Sequence, residues 1–162
     1  RKESFHTNRR GIAMRYIISA LLGSMLFVAN AAQANECELT IDSNDNMRFD
    51  TKEMSVPASC DEVTVTLTHS GKLDKKVMGH NWVLSEAGDM QSVVQQGMSA
   101  GMESQYVPDS DAVIAATDVI GGGEETSVTF STEGMSADTD YKFYCTFPGH
   151  SAIMQGSFAI KE

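Results

Sequence analysis

A thiol, an imidazole and a thioether stand within ten residues of one another near the end of this chain, as Cys145, His150 and Met154 in the spacing C-x4-H-x3-M. Such soft and borderline donors, carried on one loop, suit copper and suit hard oxygen-seeking cations badly. Three donors leave the shell of an ion incomplete, so a distant segment has to fold back onto the loop. That requirement narrows the folds open to the chain more than any other feature of its sequence.

Beyond the loop and the N-terminal leader described below, the histidines left are His69 and His80. His80 is the better candidate. It stands at the mouth of a strand, just after Gly79, whose carbonyl can come close to a metal because glycine has no side chain in the way. Two histidines and a cysteine in one plane, with a distant methionine, make the trigonal blue-copper arrangement, which serves Cu(II) and Cu(I) in one geometry.

The rest of the chain reads as short strands set off by turn residues. Residues 38–41 alternate, residues 42–46 read as a turn and residues 47–54 as a bent extended stretch. The clearest strand is 62–69, with Val63, Val65, Leu67 and His69 on one face and Glu62, Thr64, Thr66 and Thr68 on the other, the mark of a sheet buried on one side. His69, in line with Val65 and Leu67, reads as a satisfied core histidine. Residues 81–85 give the next strand, with Trp82 directed to the core opposite Asn81. The period then changes: Met90, Val93, Val94 and Met98 predict a short helix with Asp89 as its N-cap. After an irregular crossing through Pro108, strands are expected at 111–117, 124–131, 141–145 and 155–160. Short strands with one helical excursion predict an all-β fold, a two-sheet Greek-key sandwich.

Residues 1–34 stand apart. From Met14 they join a basic start, an apolar run over 16–28 and small residues ending in Ala32-Gln-Ala34, the pattern of a secretory signal cleaved after Ala34, with residues 1–13 upstream of the expected start. The run is shorter than the roughly 20 residues that span a bilayer, so a retained anchor is the weaker reading, and no membrane insertion is expected after cleavage. Residues 35–162 then form a single domain with 7 Lys plus Arg against 21 Asp plus Glu. That acidity excludes nucleic acid and anionic membranes as expected partners and reads as a solvated coat or a match to a basic partner. Export places the chain in an oxidising compartment, where Cys37 and Cys60 can pair. A bridge using Cys145 would remove the thiolate that the His and Met spacing implies.

The segments Glu36-Cys37, Asn44-Asp-Asn-Met47, Val77-Met-Gly-His-Asn-Trp-Val-Leu-Ser85, Asp89-Met-Gln91, Val113-Ile-Ala115, Ser127-Val-Thr-Phe130 and Phe143-Tyr-Cys-Thr-Phe-Pro-Gly-His-Ser-Ala-Ile-Met154 resemble the azurins, bacterial blue copper proteins of the cupredoxin class, over nearly all of residues 35–162. Plastocyanin-like, pseudoazurin-like and amicyanin-like proteins have shorter gaps between the cysteine and the histidine. The resemblance implies a cupredoxin-like sandwich holding one copper ion between His80, Cys145 and His150, with Met154 as a long axial ligand and the Gly79 carbonyl as a weak second axial contact. It also implies a disulfide between Cys37 and Cys60, with Asn81 and Phe147 supporting the ligands from behind, and it places His69 near the copper. Around His150 it implies an apolar docking patch of Met47, Leu73, Val77, Met78, Phe147, Pro148, Ala152 and Ile153, suited to brief contacts of small area.

These readings predict a monomeric periplasmic electron carrier, not an enzyme, that cycles copper between Cu(I) and Cu(II) and passes the electron through the edge of His150. The resemblance implies redox partners such as c-type cytochromes, nitrite reductase, peroxidase or amine dehydrogenase. A copper enzyme on this fold needs further histidine-rich sites, which the three histidines of residues 35–162 cannot supply. A copper-delivery module would show an open site of exchangeable ligands.

Overall fold

The computed structural model describes residues 36–162, so the expected leader and its cleavage after Ala34 lie outside the described residues. The strands are β1 (Glu38–Asn44), β2 (Arg48–Phe49), β3 (Glu53–Pro57), β4 (Glu62–His69), β5 (Val83–Glu86), β6 (Ala115–Ala116), β7 (Glu125–Ser131), β8 (Tyr141–Tyr144) and β9 (Gln155–Lys161). Between them lie α1 (Lys75–Met78), α2 (Met90–Ala100) and a single 3-10 turn at Met102–Ser104. No helix among the described residues is long and apolar enough to cross a membrane.

The alternation of β4 organises the first layer. Val63, Val65, Leu67 and His69 all turn inward and are buried, while the threonines between them stay half exposed. β4 lies between β1, parallel to it, and β7, antiparallel, in a sheet of order β2-β1-β4-β7. The second sheet has the order β3-β9-β8-β5-β6, with β3 and β9 parallel and the other pairs antiparallel. The result is the expected all-β sandwich of two sheets, both of them mixed.

Aromatic rings fill the space between the layers. The Trp82 ring lies 6.1, 6.2 and 6.3 Å from those of Phe130, Phe143 and Phe158, distances at which offset and edge-on ring pairs attract beyond their area burial. Gly156 on β9 is forced by this packing, because a Cβ there would strike the Phe143 ring. A disulfide joins Cys37 to Cys60 across 23 positions. It ties the start of β1 to the turn before its parallel neighbour β4, a constraint worth about 3 kcal/mol in the chain-entropy account. Cys145 stays free and buried.

Four local expectations are corrected. The polar run 42–46 is strand as far as Asn44, because cross-strand bonds replace solvent: Thr68 Oγ1 and Ser70 Oγ donate to the Asp42 carboxylate at 2.7 and 2.6 Å, and Ser43 Oγ donates to the Thr68 carbonyl at 2.8 Å. The strand expected at 111–117 shrinks to Ala115–Ala116, since the chain turns through Ser110–Val113 before it reaches the edge of β5. Asp89 has helical backbone angles and makes no side-chain cap, so the Asp at the head of α2 does no capping work. Met98 faces solvent, and α2 instead buries Val93 and Gly97. Gly97 packs against the Tyr106 carbonyl, a close approach that apolar periodicity cannot register.

The Trp82 indole is wholly buried and its Nε1–H has no hydrogen-bond partner. Its fluorescence should therefore lie well to the blue of an exposed indole and move red in one cooperative step on urea unfolding. Emission at the wavelength of a solvated indole in the native protein would contradict this packing.

Candidate metal centre

β8 delivers Cys145 to the end of the sandwich, and the loop beyond it closes on itself. Cys145 N–H donates to the Met154 carbonyl at 3.0 Å, His150 N–H to the Phe147 carbonyl at 3.0 Å, and Met154 N–H to the His150 carbonyl at 2.9 Å. Gly149 makes the tight turn with φ of +83°, in the left-handed region that a side chain disfavours. The second segment enters from the other side, where His80 exchanges both backbone bonds with Ile120 and leads into β5.

The two segments bring His80, Cys145 and His150 together, all buried. His80 Nδ1 and His150 Nδ1 are 3.2 Å apart, and they lie 4.0 and 3.8 Å from Cys145 Sγ. A triangle with these sides has a centre about 2.1 Å from every corner, close to the metal–nitrogen and metal–sulfur distances of protein sites. The donor atoms therefore fit a single ion in their own plane, and the set of one thiolate and two imidazoles fits copper.

Each donor is aimed by groups behind it. His80 Nε2–H donates to the Asn44 carbonyl at 2.9 Å, which fixes the tautomer and leaves Nδ1 with its lone pair toward the site. The Asn81 side chain spans the two segments: its Oδ1 accepts from Thr146 N–H at 2.8 Å, and its Nδ2 donates to Thr146 Oγ1 at 2.8 Å and to the Gln105 carbonyl at 2.9 Å. Backbone N–H groups of Asn81 and Phe147 also face the Cys145 sulfur. The Phe147 ring lies 4.7 Å from that of His150.

Burial dominates the electrostatics. It pushes the Cys145 thiol up to about 12 despite the two N–H groups, lowers His80 to about 4 and lowers His150 as well. The imidazoles are thus neutral and ready to donate at neutral pH, while the sulfur must lose a proton to a metal that replaces it.

The other anticipated residues take varied places. Met154 is fully buried and packs in one apolar cluster with Val119, Cys145 and Phe147, closed off by Met47, Phe49, Met102 and Tyr106. Gly79 ends α1 with ordinary backbone angles, and a Cβ there would strike the Lys75 carbonyl, Val119 and the Phe147 ring, so close packing alone requires glycine. His69 is the satisfied core histidine expected: Nε2–H donates to the Met78 carbonyl at 3.0 Å, Nδ1 accepts from Gly71 N–H at 3.0 Å, and its ring stacks on His80 at 4.7 Å. His150 keeps only 4% of its surface exposed. Of the apolar patch, Leu73, Val77, Pro148, Ala152 and Ile153 are exposed, Met47 and Met78 are half-buried and Phe147 is buried. Asn44, Gln105 and Thr146 were not anticipated. Two of them act through backbone carbonyls, which any residue carries, and only the polar Thr146 after the cysteine offered a signal.

Residues 35–161 match the family described as copper binding proteins, plastocyanin/azurin family. Azurin-1 of Alcaligenes xylosoxydans xylosoxydans is 54% identical over 128 residues, 78% of this chain and 99% of that protein. Azurin of Pseudomonas fluorescens biotype A is 50% identical over 127 residues, again 78% and 99%. Among solved structures, the azurin Az-iso2 of the obligate methylotroph Methylomonas sp. strain J superposes with a TM-score of 0.75 at 44% identity, covering 78% of this chain and 98% of that one.

The depressed His80 fixes a sign for pH dependence in the metal-free protein. Above pH 6.5 the ring is neutral folded or unfolded; between 6.5 and about 4 the unfolded chain takes up a proton that the folded chain excludes. Stability should therefore fall as pH drops, by about 2 kcal/mol between pH 7 and pH 5, read as a lower urea midpoint. An unchanged midpoint would show that His80 is not held neutral.

Proposed function

The chain belongs to the plastocyanin/azurin family of copper-binding proteins, and from that premise we propose that it is a periplasmic one-electron carrier working through one copper ion held by His80, Cys145 and His150. The observation that carries the reading is the buried triangle of one sulfur and two nitrogens with a common centre in its own plane. Copper, when bound, supplies a one-electron couple between Cu(I) and Cu(II).

The chain's own part is to hold its donors still. Asn44 orients His80, Asn81 clamps the loop that carries Cys145 and His150, and the apolar cluster around Met154 keeps water out. Donor positions set by the fold do not relax with the charge at the site, so little reorganisation accompanies each transfer. With copper bound, Met154 and the Gly79 carbonyl would supply weak further contacts to the ion. The two N–H groups facing Cys145 stabilise its thiolate.

A closed pocket favours a carrier over an enzyme, because no substrate can reach ligands that are almost wholly buried. Electrons enter and leave across the exposed apolar surface formed by Leu73, Val77, Pro148, Ala152 and Ile153, with redox proteins as donor and acceptor. Such a surface lets a partner bind briefly and depart. Export follows from the leader, so that the working domain is residues 35–162, a monomer carrying its disulfide.

Adding Cu(II) to the purified protein should produce an intense thiolate-to-copper absorption that a mild reductant bleaches. Cys145→Ser should abolish the colour, and Met154→Leu should keep it and raise the reduction potential. A pale copper complex in the parent protein, or colour retained by the serine variant, would reject this assignment.

A further inference from the structure

The chain between α2 and β6 belongs to neither sheet, yet it reaches both halves of the metal centre. It does so through two consecutive residues in the left-handed region, Gln105 with φ of +57° and Tyr106 with φ of +55°. A side chain disfavours that conformation, and two such residues in succession persist only where their surroundings hold them. The turn is held from within by Gln105 N–H, which donates to the Met102 carbonyl, and by Tyr106 N–H, which donates to the Gly101 carbonyl, both at 2.9 Å. Behind it, Gly97 of α2 leaves room for the Tyr106 carbonyl where a Cβ would strike it.

This turn aims two acceptors of Gln105 at the groups that flank His80. Its carbonyl accepts from Asn81 Nδ2 at 2.9 Å, and its Oε1 accepts from Val119 N–H at 2.7 Å. The first bond decides which way round the Asn81 amide lies. A carbonyl can only accept, so the NH2 end of Asn81 must face Gln105, and Oδ1 is left to accept from Thr146 N–H beside Cys145. The second bond holds the segment that pairs with His80. Ile120 exchanges backbone bonds with His80 at 3.0 and 2.9 Å, and its neighbour Val119 packs in the cluster of Cys145, Phe147 and Met154. Val119 is buried, so its N–H without an acceptor would be strongly unfavourable and would drive the segment to shift. Tyr106 meets the other half of the centre: its ring lies edge-on to Phe147 at 5.3 Å, and Phe147 lies against His150.

We propose that Gln105 is a positioning residue of the metal centre, which through its carbonyl and its side-chain oxygen sets where His80 stands relative to Cys145. This role rests on the copper-carrier reading and deepens it, because it assigns part of the ligand geometry to a residue that is no ligand and lies outside both sheets. Indirect support of this kind is worth about tenfold in metal affinity.

Gln105→Met keeps the length of the side chain and removes the acceptor for Val119 N–H, whereas Gln105→Glu keeps an acceptor there. In the copper-loaded protein, the methionine variant should hold Cu(II) about tenfold more weakly against a competing chelator and shift the thiolate-to-copper absorption. At high ionic strength, where the added charge is screened, the glutamate variant should match the parent in both. In the metal-free protein, the methionine variant should exchange the amide protons of Val119 and Thr146 faster, as read by NMR. A methionine variant with a lower urea midpoint but unchanged copper affinity, absorption and Thr146 exchange would overturn the inference, showing that Gln105 holds only its own loop, and would leave the carrier reading intact. A glutamate variant as impaired as the methionine variant would overturn it as well. If the parent shows no intense absorption, the carrier reading fails by itself; faster Thr146 exchange in the metal-free methionine variant then still supports the positioning role, and unchanged exchange overturns it.

Discussion

The metal centre depends on one side-chain amide. Asn81 follows His80, Thr146 follows Cys145, and the paired bonds between them join segments 65 positions apart in the sequence. Without that lock no side-chain bond would join the two segments: the loop bearing Cys145 and His150 would keep its own turns, and His80 its backbone pairing with Ile120 and its bond to the Asn44 carbonyl. With it, sulfur and both nitrogens sit around a common centre set by the protein. A third bond from the same amide, to the Gln105 carbonyl, draws in the segment whose own side chain accepts from Val119 N–H, and Val119 lines the apolar cluster beside Cys145.

Burial then works in two directions. It is unfavourable for the free protein, where a thiol is held far above its ordinary titration range and two imidazoles are kept neutral at close quarters. It favours a bound soft cation, because every donor is already stripped of water and has no competing partner of its own charge. The surrounding sandwich supports this arrangement by independent means: an aromatic core around Trp82 and a disulfide at the far end of β1 from the turn that presents the Asn44 carbonyl.

Much of this was legible in the residues because the signals were local. The C-x4-H-x3-M spacing placed three donors on one loop, the alternation of 62–69 gave β4 to the residue, and the arithmetic of three cysteines left Cys145 free. What could not be read depended on contacts between distant backbones. Residues 42–44 are strand because their backbone pairs with β4 and β2, with the Thr68 and Ser70 hydroxyls donating to the Asp42 carboxylate, and α2 shows a glycine to its neighbours where the periodicity points to a methionine. In the sequence, the neighbouring glycine and strand single out His80 over His69. The structure shows the physical basis: both ring nitrogens of His69 are bonded to backbone groups, whereas Nδ1 of His80 points into the site, toward His150 Nδ1 and Cys145 Sγ.

The account requires that the fold, and not the metal's oxidation state, positions the donors. Crystal structures of the copper-loaded protein, oxidised and reduced, test this most directly. The account predicts that His80 Nδ1, His150 Nδ1 and Cys145 Sγ stay within about 0.5 Å of their present positions in both states. A ligand that swings away or is replaced when the charge changes would contradict it.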